Sequence, residues 1–221
     1  QTFSAGVRSI GQKLVAASVA AATPLAISGT VFAGFEQRMA RVRALSGATG
    51  KDFERLSNEA KRLGETTVFS ASQAADAMSF FALAGFDVEQ ILKAIGPTLN
   101  LAAAGQLEIA QAADIAAKIM AGMGIEADNL GNAVDVLTKA MTTANTDLNQ
   151  LGDAMKFVGP IAKSAGVAFE EIVAAIQLLS NAGIQGEMAG TTLRGAILAL
   201  TSPSAEAADK LKELGVSVTD A

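Results

Sequence analysis

Residues Leu178–Leu200 read LLSNAGIQGEMAGTTLRGAILAL, and the fold class follows from them. Two apolar patterns of helical spacing flank an Ala182-Gly183-Ile184 joint. Glycine at such a joint suits the left-handed position that closes many helices. The second pattern is interrupted by small residues: Gly186, Ala189, Gly190, Thr191 and Thr192. Helix propensity alone would not keep glycine and threonine there. Small residues let a neighbouring helix or chain come close, so the segment reads as a packing surface. Gly186–Gly195, or the uncharged stretch Leu14–Phe35, is expected at a contact between chains.

Outward from this stretch, the chain is a run of helices with legible punctuation. Thr49-Gly50-Lys51-Asp52 resembles a capping box, after which Phe53, Leu56, Ala60 and Leu63 recur at helical spacing until Gly64. Ser70–Gln73 is a second box and opens a helix with Ala74, Ala77, Met78, Phe81 and Ala84 on one face, closed by Gly85. Asp87–Gln90 opens the next, which runs through Gly96-Pro97 towards Gly105. A proline within a helical pattern removes a backbone donor, so a kink or break is expected there. Another helix runs from Leu107 to Gly124, and Leu130, Val134, Leu137 and Met141 mark the one after. The plan then repeats. Asp147–Gln150 is a box, Gly159-Pro160 interrupts, Gly166 closes, and Phe169–Ala182 and about Glu187–Leu200 follow. Pro97 and Pro160 are 63 residues apart, Gly105 and Gly166 are 61 apart, and Gly124 and Gly183 are 59 apart. These offsets predict an all-α multi-helix bundle of two diverged three-helix units, with Gly-terminated and Gly-Pro-kinked helices. Two copies close into a compact pair more readily than they form an open solenoid, which needs about three repeats. Ser202-Pro203 starts a last short helix, ended by Gly215, and 216–221 reads as a linker.

Composition excludes several classes of function. The 221 residues suffice for one large or two small domains. Half are hydrophobic, many of them alanine, and the 5% that are aromatic are all phenylalanine. Such a chain builds thin helix–helix contacts. It has no cysteine, so disulfides and thiolate ligands are excluded, and no histidine, the commonest general base and transition-metal ligand. The net charge of −5 is unevenly spread. Residues 1–63 hold nine basic and four acidic residues, +5, and the remainder eight basic and eighteen acidic, −10. Either the two parts meet different surroundings or these are two ordinary solvated faces.

Leu14–Phe35 holds no charge over 22 residues. Basic residues flank it, at Arg8 and Lys13 before and Arg38, Arg41 and Arg43 after. That length reaches across a bilayer, but alanine, serine, threonine and glycine dominate, and Thr23-Pro24 looks like a helix start. A buried or self-associating helix, a membrane-active segment and a signal sequence remain as readings.

No residue set carries recognisable catalysis. There is no nucleophile–base pair. Glu170-Glu171 suits the start of a helix, where the dipole favours carboxylates. Asp147-Leu148-Asn149 lacks the glycine and distal glutamate of a calcium loop and reads as a cap. Arg38, Arg41, Arg43, Arg55, Lys61 and Arg62 could touch phosphates. Their spacing covers more than one helix face, and only Phe35 and Phe53 are at hand for stacking, so a solvated face fits them better. Met78, Met120, Met123, Met141 and Met155 fall on apolar stripes as core filler. No catalytic, cofactor-binding or metal-ligating residue is assigned.

From about Phe35 to Ala221 the chain resembles the core of phage tail tape measure proteins. The resemblance rests on FSASQAADAMSFFALAGFDVEQ (Phe69–Gln90), AGMGIEADNL (Ala121–Leu130), LLSNAGIQGEMAGTTLRGAI (Leu178–Ile197) and LKELGV (Leu211–Val216). Its most specific part is Ala182–Arg194. It implies a structural virion component rather than an enzyme. Such a protein is made in the host cytoplasm, lies in the tail lumen or at its tip, templates the tube, sets tail length and leaves ahead of the DNA. It further implies self-association, with a trimer as one form, contacts with tail tube and tip or baseplate proteins, and no specific nucleic-acid binding. On this reading 1–35 is an assembly or membrane-active helix that could meet the host membrane through 14–35, and 36–215 is the core. A membrane-active protein aiding genome delivery and a helical adaptor are the competing readings.

Overall fold

The computed structural model describes residues 33–213. The expectations for 14–32, including Thr23-Pro24, and for 216–221 lie outside them. The described residues form ten α-helices and one short 3-10 turn, with no strand among them. In chain order these are α1 (33–46), α2 (Gly50–Thr66), α3 (Ala71–Leu83), α4 (Val88–Gly105), α5 (Ile109–Met123), the turn Ala127–Asn129, α6 (Leu130–Thr143), α7 (Leu148–Ser164), α8 (Phe169–Asn181), α9 (Gly186–Thr201) and α10 (Ala205–Glu213). The all-α multi-helix architecture is as expected.

The helices are arranged in two layers. In one, α3 packs on α5, α5 on α7 and α7 on α9, the last being the most extensive pairing. In the other, α2 meets α4, α4 meets α6 and α6 meets α8. The helix α1 belongs beside α3, through an Arg38–Asp76 ion pair at 2.7 Å. Every substantial contact joins helices one or two apart in the chain. The result is an open stack of helical hairpins, not the closed pair of three-helix units expected from the Gly-Pro offsets. A three-helix shift carries α4 onto α7, from one layer to the other. The packing instead repeats every two helices: α3, α5, α7 and α9 start at 71, 109, 148 and 186, intervals of 38, 39 and 38 residues.

A motif in the sequence marks this period. Gln73-Ala74-Ala75-Asp76, Gln111-Ala112-Ala113-Asp114 and Gln150-Leu151-Gly152-Asp153 each begin at the third residue of their helix. The two residues after each glutamine are buried because they face the other layer and the preceding helix. Between the layers lie Leu56, Met78, Phe81, Ile91, Ile95, Leu99, Ile119, Leu137, Leu151 and Ile176, all but free of solvent. Burying side chains of this size contributes about 1.5–3 kcal/mol each before conformational entropy is subtracted.

Five joints share one turn. Phe86, Leu107, Ile125, Val167 and Ile184 each donate their N–H to the carbonyl five residues earlier, at 2.9–3.1 Å. This is the Schellman closure of a helix end, in which the donor is apolar and packs back on the helix. All five side chains lie against the core. The residue before each carries the left-handed turn at Gly85, Gly124, Gly166 and Gly183, with φ between +69° and +86°. At the fifth joint it is Gln106, with φ 52°, rather than the expected Gly105. A Cβ on Gly105 would sit 2.3 Å from Leu148 Cδ1, so the Leu148 side chain would have to shift to admit one.

Several local expectations hold and several are corrected. Ser70/Gln73 and Asp87/Gln90 form complete capping boxes. Asp147 accepts from the Gln150 N–H at 2.9 Å. Thr49 caps α2 without a side-chain hydrogen bond, so no box forms there. Gly64 does not end α2, which continues to Thr66. A Cβ on Gly64 would lie 2.5 Å from the Ala71 nitrogen, so its role is to admit the start of α3. Neither proline ends its helix: α4 continues through Pro97 and α7 through Pro160. The cap of α10 is Ser204, two residues beyond Ser202, with its Oγ accepting from the Ala207 N–H at 3.3 Å.

Candidate interaction surfaces

The small-residue stretch is divided between two flanks of α9. Gly186 and Gly190 rest on α7. A Cβ on Gly190 would stand 2.3 Å from the Ala154 carbonyl oxygen and 2.8 Å from its Cα, and one on Gly186 would stand 4.0 Å from the Gln150 Cα. Ala189 and Gly190 are the only buried residues of α9. This half of the predicted interchain surface is therefore a contact within the chain. Thr191, Thr192 and Gly195 remain exposed or nearly so.

That second flank is apolar where it faces away from the stack. Leu178 at the end of α8 is 74% exposed and Met188 on α9 is 59% exposed, with Leu198 and Leu200 also open. The repeat explains what is missing. The seventh residue of each helix in this layer is Ala77, Ile115, Ala154 and Thr192. The first three are buried, with Ile115 3.0 Å from where a Cβ on Gly152 would stand and Ala154 under Gly190. Among the described residues no helix packs over Thr192. The helix α10 does not take that place, since none of its residues is buried and it makes no extensive contact with α8 or α9.

The basic residues are largely engaged within the first hairpins. Arg43 lies over the Phe53 ring at 5.5 Å and Lys61 over Phe35 at 5.7 Å. Arg62 holds Glu59. Arg55 donates Nη2 to Glu89 Oε2 at 3.0 Å and Nη1 to the other oxygen. One hairpin further on, Lys93 pairs with Asp128 at 2.8 Å. Each of these two pairs joins the sixth residue of one helix to the second residue of the next helix or turn in that layer. The hydrogen bond from Arg55 holds the Glu89 carboxyl below its ordinary range. The hydrogen bond to Asp128 raises the Lys93 ammonium above its own. Both pairs are solvent-exposed, so their contribution to stability is small.

The end of the stack formed by α1 and α2 carries a cleft of about 280 Å³, lined by Phe35, Met39, Arg43, Phe53 and Lys61 among others. Among the described residues only α1 and α2 line it. At the α6–α7 and α8–α9 joints lies a polar cluster. Asn145 donates its N–H to Asn181 Oδ1 at 2.9 Å, and Gln185 Nε2 donates to the Asn145 carbonyl. Within it Thr146 Oγ1, Gln150 Oε1 and Ser180 Oγ are buried without a hydrogen-bond partner in the protein. No local pattern announces this cluster, because Asn145 and Asn181 meet only through the packing of α8 against α6.

Met78, Met120 and Met155 are buried and Met123 and Met141 lie against the core, as expected of filler. Glu171 accepts from the Ala168 N–H at 3.3 Å, which ties it to the start of its helix. Among the described residues no group of three or more carboxylates could hold a metal ion. Among them, too, no helix is long and apolar enough to cross a membrane.

Comparison with known proteins places the chain in a family. The family model of phage-related minor tail proteins matches residues 57–221. The chain is 38% identical over 187 residues to the tape measure protein of Pneumococcus phage Dp-1, covering 85% of this chain and 16% of that protein. It is 34% identical over 218 residues to the probable tape measure protein of Escherichia phage P2, covering 98% of this chain and 26% of that protein. The chain thus spans about a sixth to a quarter of the length of these relatives. No solved structure matches it. The match over residues 57–221 takes in most of α2 and every later helix, and the chain belongs to the phage-related minor tail protein family.

Proposed function

We propose that this chain is the helical core of a tail tape measure protein, which templates the tail tube, sets its length and is released at genome ejection. The observation that carries the reading is the identity to two tape measure proteins over nearly the whole chain. The architecture is compatible with it. In a stack where each hairpin touches only its neighbours, stability is close to a sum of local terms. Such a stack can be taken apart hairpin by hairpin, which suits a protein that must clear a narrow tube.

On this reading the protein lies in the tail lumen, contacts tube and tip or baseplate proteins, and associates with itself around the tail axis, in a three-fold arrangement. It has no catalytic role and binds no specific nucleic acid. Residues 36–215 form the core, 1–35 an assembly segment, and 216–221 a linker. The test is quantitative mass spectrometry of purified tails before and after ejection is triggered. The protein is expected in the intact particles and depleted in the emptied ones. Absence from intact tails would overturn the assignment, and full retention in emptied tails would overturn release.

A further inference from the structure

We propose that the polar cluster at the α6–α7 and α8–α9 joints is the binding site of one internal water, held by Thr146 Oγ1, Gln150 Oε1 and Ser180 Oγ. The water closes a hydrogen-bond network that fastens the α8–α9 hairpin to the α6–α7 hairpin. The site is independent of the tail assignment and of self-association.

Two of these residues forgo a local hydrogen bond that their counterparts make. Ser79, Thr98 and Ser180 are the buried polar side chains of the described residues. Ser79 Oγ donates to the Ala75 carbonyl at 3.2 Å and Thr98 Oγ1 to the Ala94 carbonyl at 2.8 Å, each one turn back on its own helix. Ser180 is 0% exposed and its hydroxyl has no such partner. Gln73 and Gln90 turn their side-chain oxygens onto the N–H of their own N-cap residues, both at 2.9 Å, which completes a capping box. Gln150 stands at the same third position of its helix, and Asp147 accepts from its N–H, but its side chain does not return the bond. Thr146 departs from the repeat in another way. The residue two places before α3, α5, α7 and α9 is Phe69, Leu107, Thr146 and Ile184. The three apolar ones pack against the core, and Thr146 places a buried hydroxyl there instead. A buried oxygen that gives up its local bond loses its hydration without return unless another partner takes it.

The network fixes the chemistry of that partner. Asn145 donates its N–H to Asn181 Oδ1 at 2.9 Å, which joins the segments that carry Thr146 and Ser180. Gln185 Nε2 donates to the Asn145 carbonyl, so Gln185 Oε1 is left to accept from Gln150 Nε2, at 3.3 Å. That order makes Oε1, an acceptor, the free end of the Gln150 amide. The set is then one pure acceptor and two hydroxyls that can each donate or accept, with no charge among them. Thr146 and Gln150 are half-buried as residues, but these oxygens are sealed from solvent. Three neutral oxygens fall short of the about six to eight that a calcium ion takes, and an amide oxygen repels an anion. A water fits the set. It donates to Gln150 Oε1 and to one hydroxyl and accepts from the other, which gives the about three hydrogen bonds usual for internal water.

A crystal structure of the 221-residue chain at a resolution that places waters tests the site directly. The expected result is one ordered water within hydrogen-bond distance of all three oxygens. Absence of a water there, as when Ser180 Oγ turns onto the Ile176 carbonyl, would overturn the proposal. In solution, relaxation dispersion of the water oxygen counts long-lived internal waters and does not register exchange of hydroxyl protons. The double variant Thr146→Val/Ser180→Ala is expected to hold one long-lived water fewer than the parent. Equal counts would overturn the assignment of the water to these oxygens. Release of the water recovers the entropy of holding it, which offsets its lost hydrogen bonds, so the water count and not the melting temperature reads the site. Should the double variant fail to fold, the crystal structure of the parent decides alone.

Discussion

Two glycines on α9 offer a test of whether close packing or helix propensity governs this end of the stack. Gly190 and Gly195 are both helical, and both would gain about 1 kcal/mol of helix propensity on substitution by alanine. Their surroundings differ. Nothing lies within 4 Å of a Cβ on Gly195. A Cβ on Gly190 meets the Ala154 carbonyl oxygen at 2.3 Å, its Cα at 2.8 Å and its carbonyl carbon at 2.9 Å. These are backbone atoms of α7 and cannot rotate away, so α9 must retreat by roughly 1 Å to restore ordinary contact distances. Overpacking of this kind costs about 1–3 kcal/mol, and contact with backbone belongs at the upper end. After the gain in propensity, Gly190→Ala is expected to destabilise the docking of α9 by about 2 kcal/mol, and Gly195→Ala to stabilise it by up to about 1 kcal/mol. Because the stack is held by local contacts, native-state hydrogen exchange of α9 amides is the appropriate assay. At about 1.4 kcal/mol per tenfold, protection of α9 should fall by about thirtyfold in Gly190→Ala and rise by up to about fivefold in Gly195→Ala. Equal protection in the two variants would sink this account, since it would mean that α9 is not held by close approach to α7.

Three further outcomes are expected. Gln106→Gly should raise the melting temperature, because it relieves a left-handed conformation that costs about 1–2 kcal/mol for a residue with a Cβ, whereas Gly124→Ala should lower it by introducing the same strain beside the Lys163 side chain. Ser180→Ala and Thr146→Val should be neutral or stabilising in thermal melts, since each removes a buried hydroxyl that has no partner in the protein. Glu89→Gln should destabilise the protein slightly at neutral pH. The Glu89 carboxyl is held below its ordinary range by Arg55, so its contribution is complete above the ordinary carboxylate range and disappears as pH falls through the depressed value. Parent and variant should then converge in stability in an acid titration.

Much of this fold is legible in the chain because its signals are local. A helix end is set by a few consecutive residues, so Gly85, Gly124, Gly166 and Gly183 and the boxes at Ser70 and Asp87 identify joints without reference to the rest. Absence of cysteine and histidine likewise restricts chemistry whatever the fold. The true period is also written in the chain, in the glutamine–aspartate motif at 73–76, 111–114 and 150–153. The Gly-Pro pairs suggest a different one, because a proline within a pattern draws attention although here it ends no helix. Gly64, Gly105 and Gly190 show the limit of local reading. At Gly64 and Gly190 the backbone of another helix, at Ala71 and Ala154, stands where a Cβ would be, and at Gly105 the Leu148 side chain does. Helix type, most helix ends and the lack of recognisable catalytic residues thus belong to the amino-acid sequence alone, since they follow from backbone preferences and side-chain chemistry over a few residues. Which helices share a layer, which flank of α9 is used up inside the chain and which is left open belong to the packed molecule. Those depend on contacts between residues some 35 to 40 positions apart, and no short-range pattern specifies which of two faces of a small-residue helix a neighbour will cover.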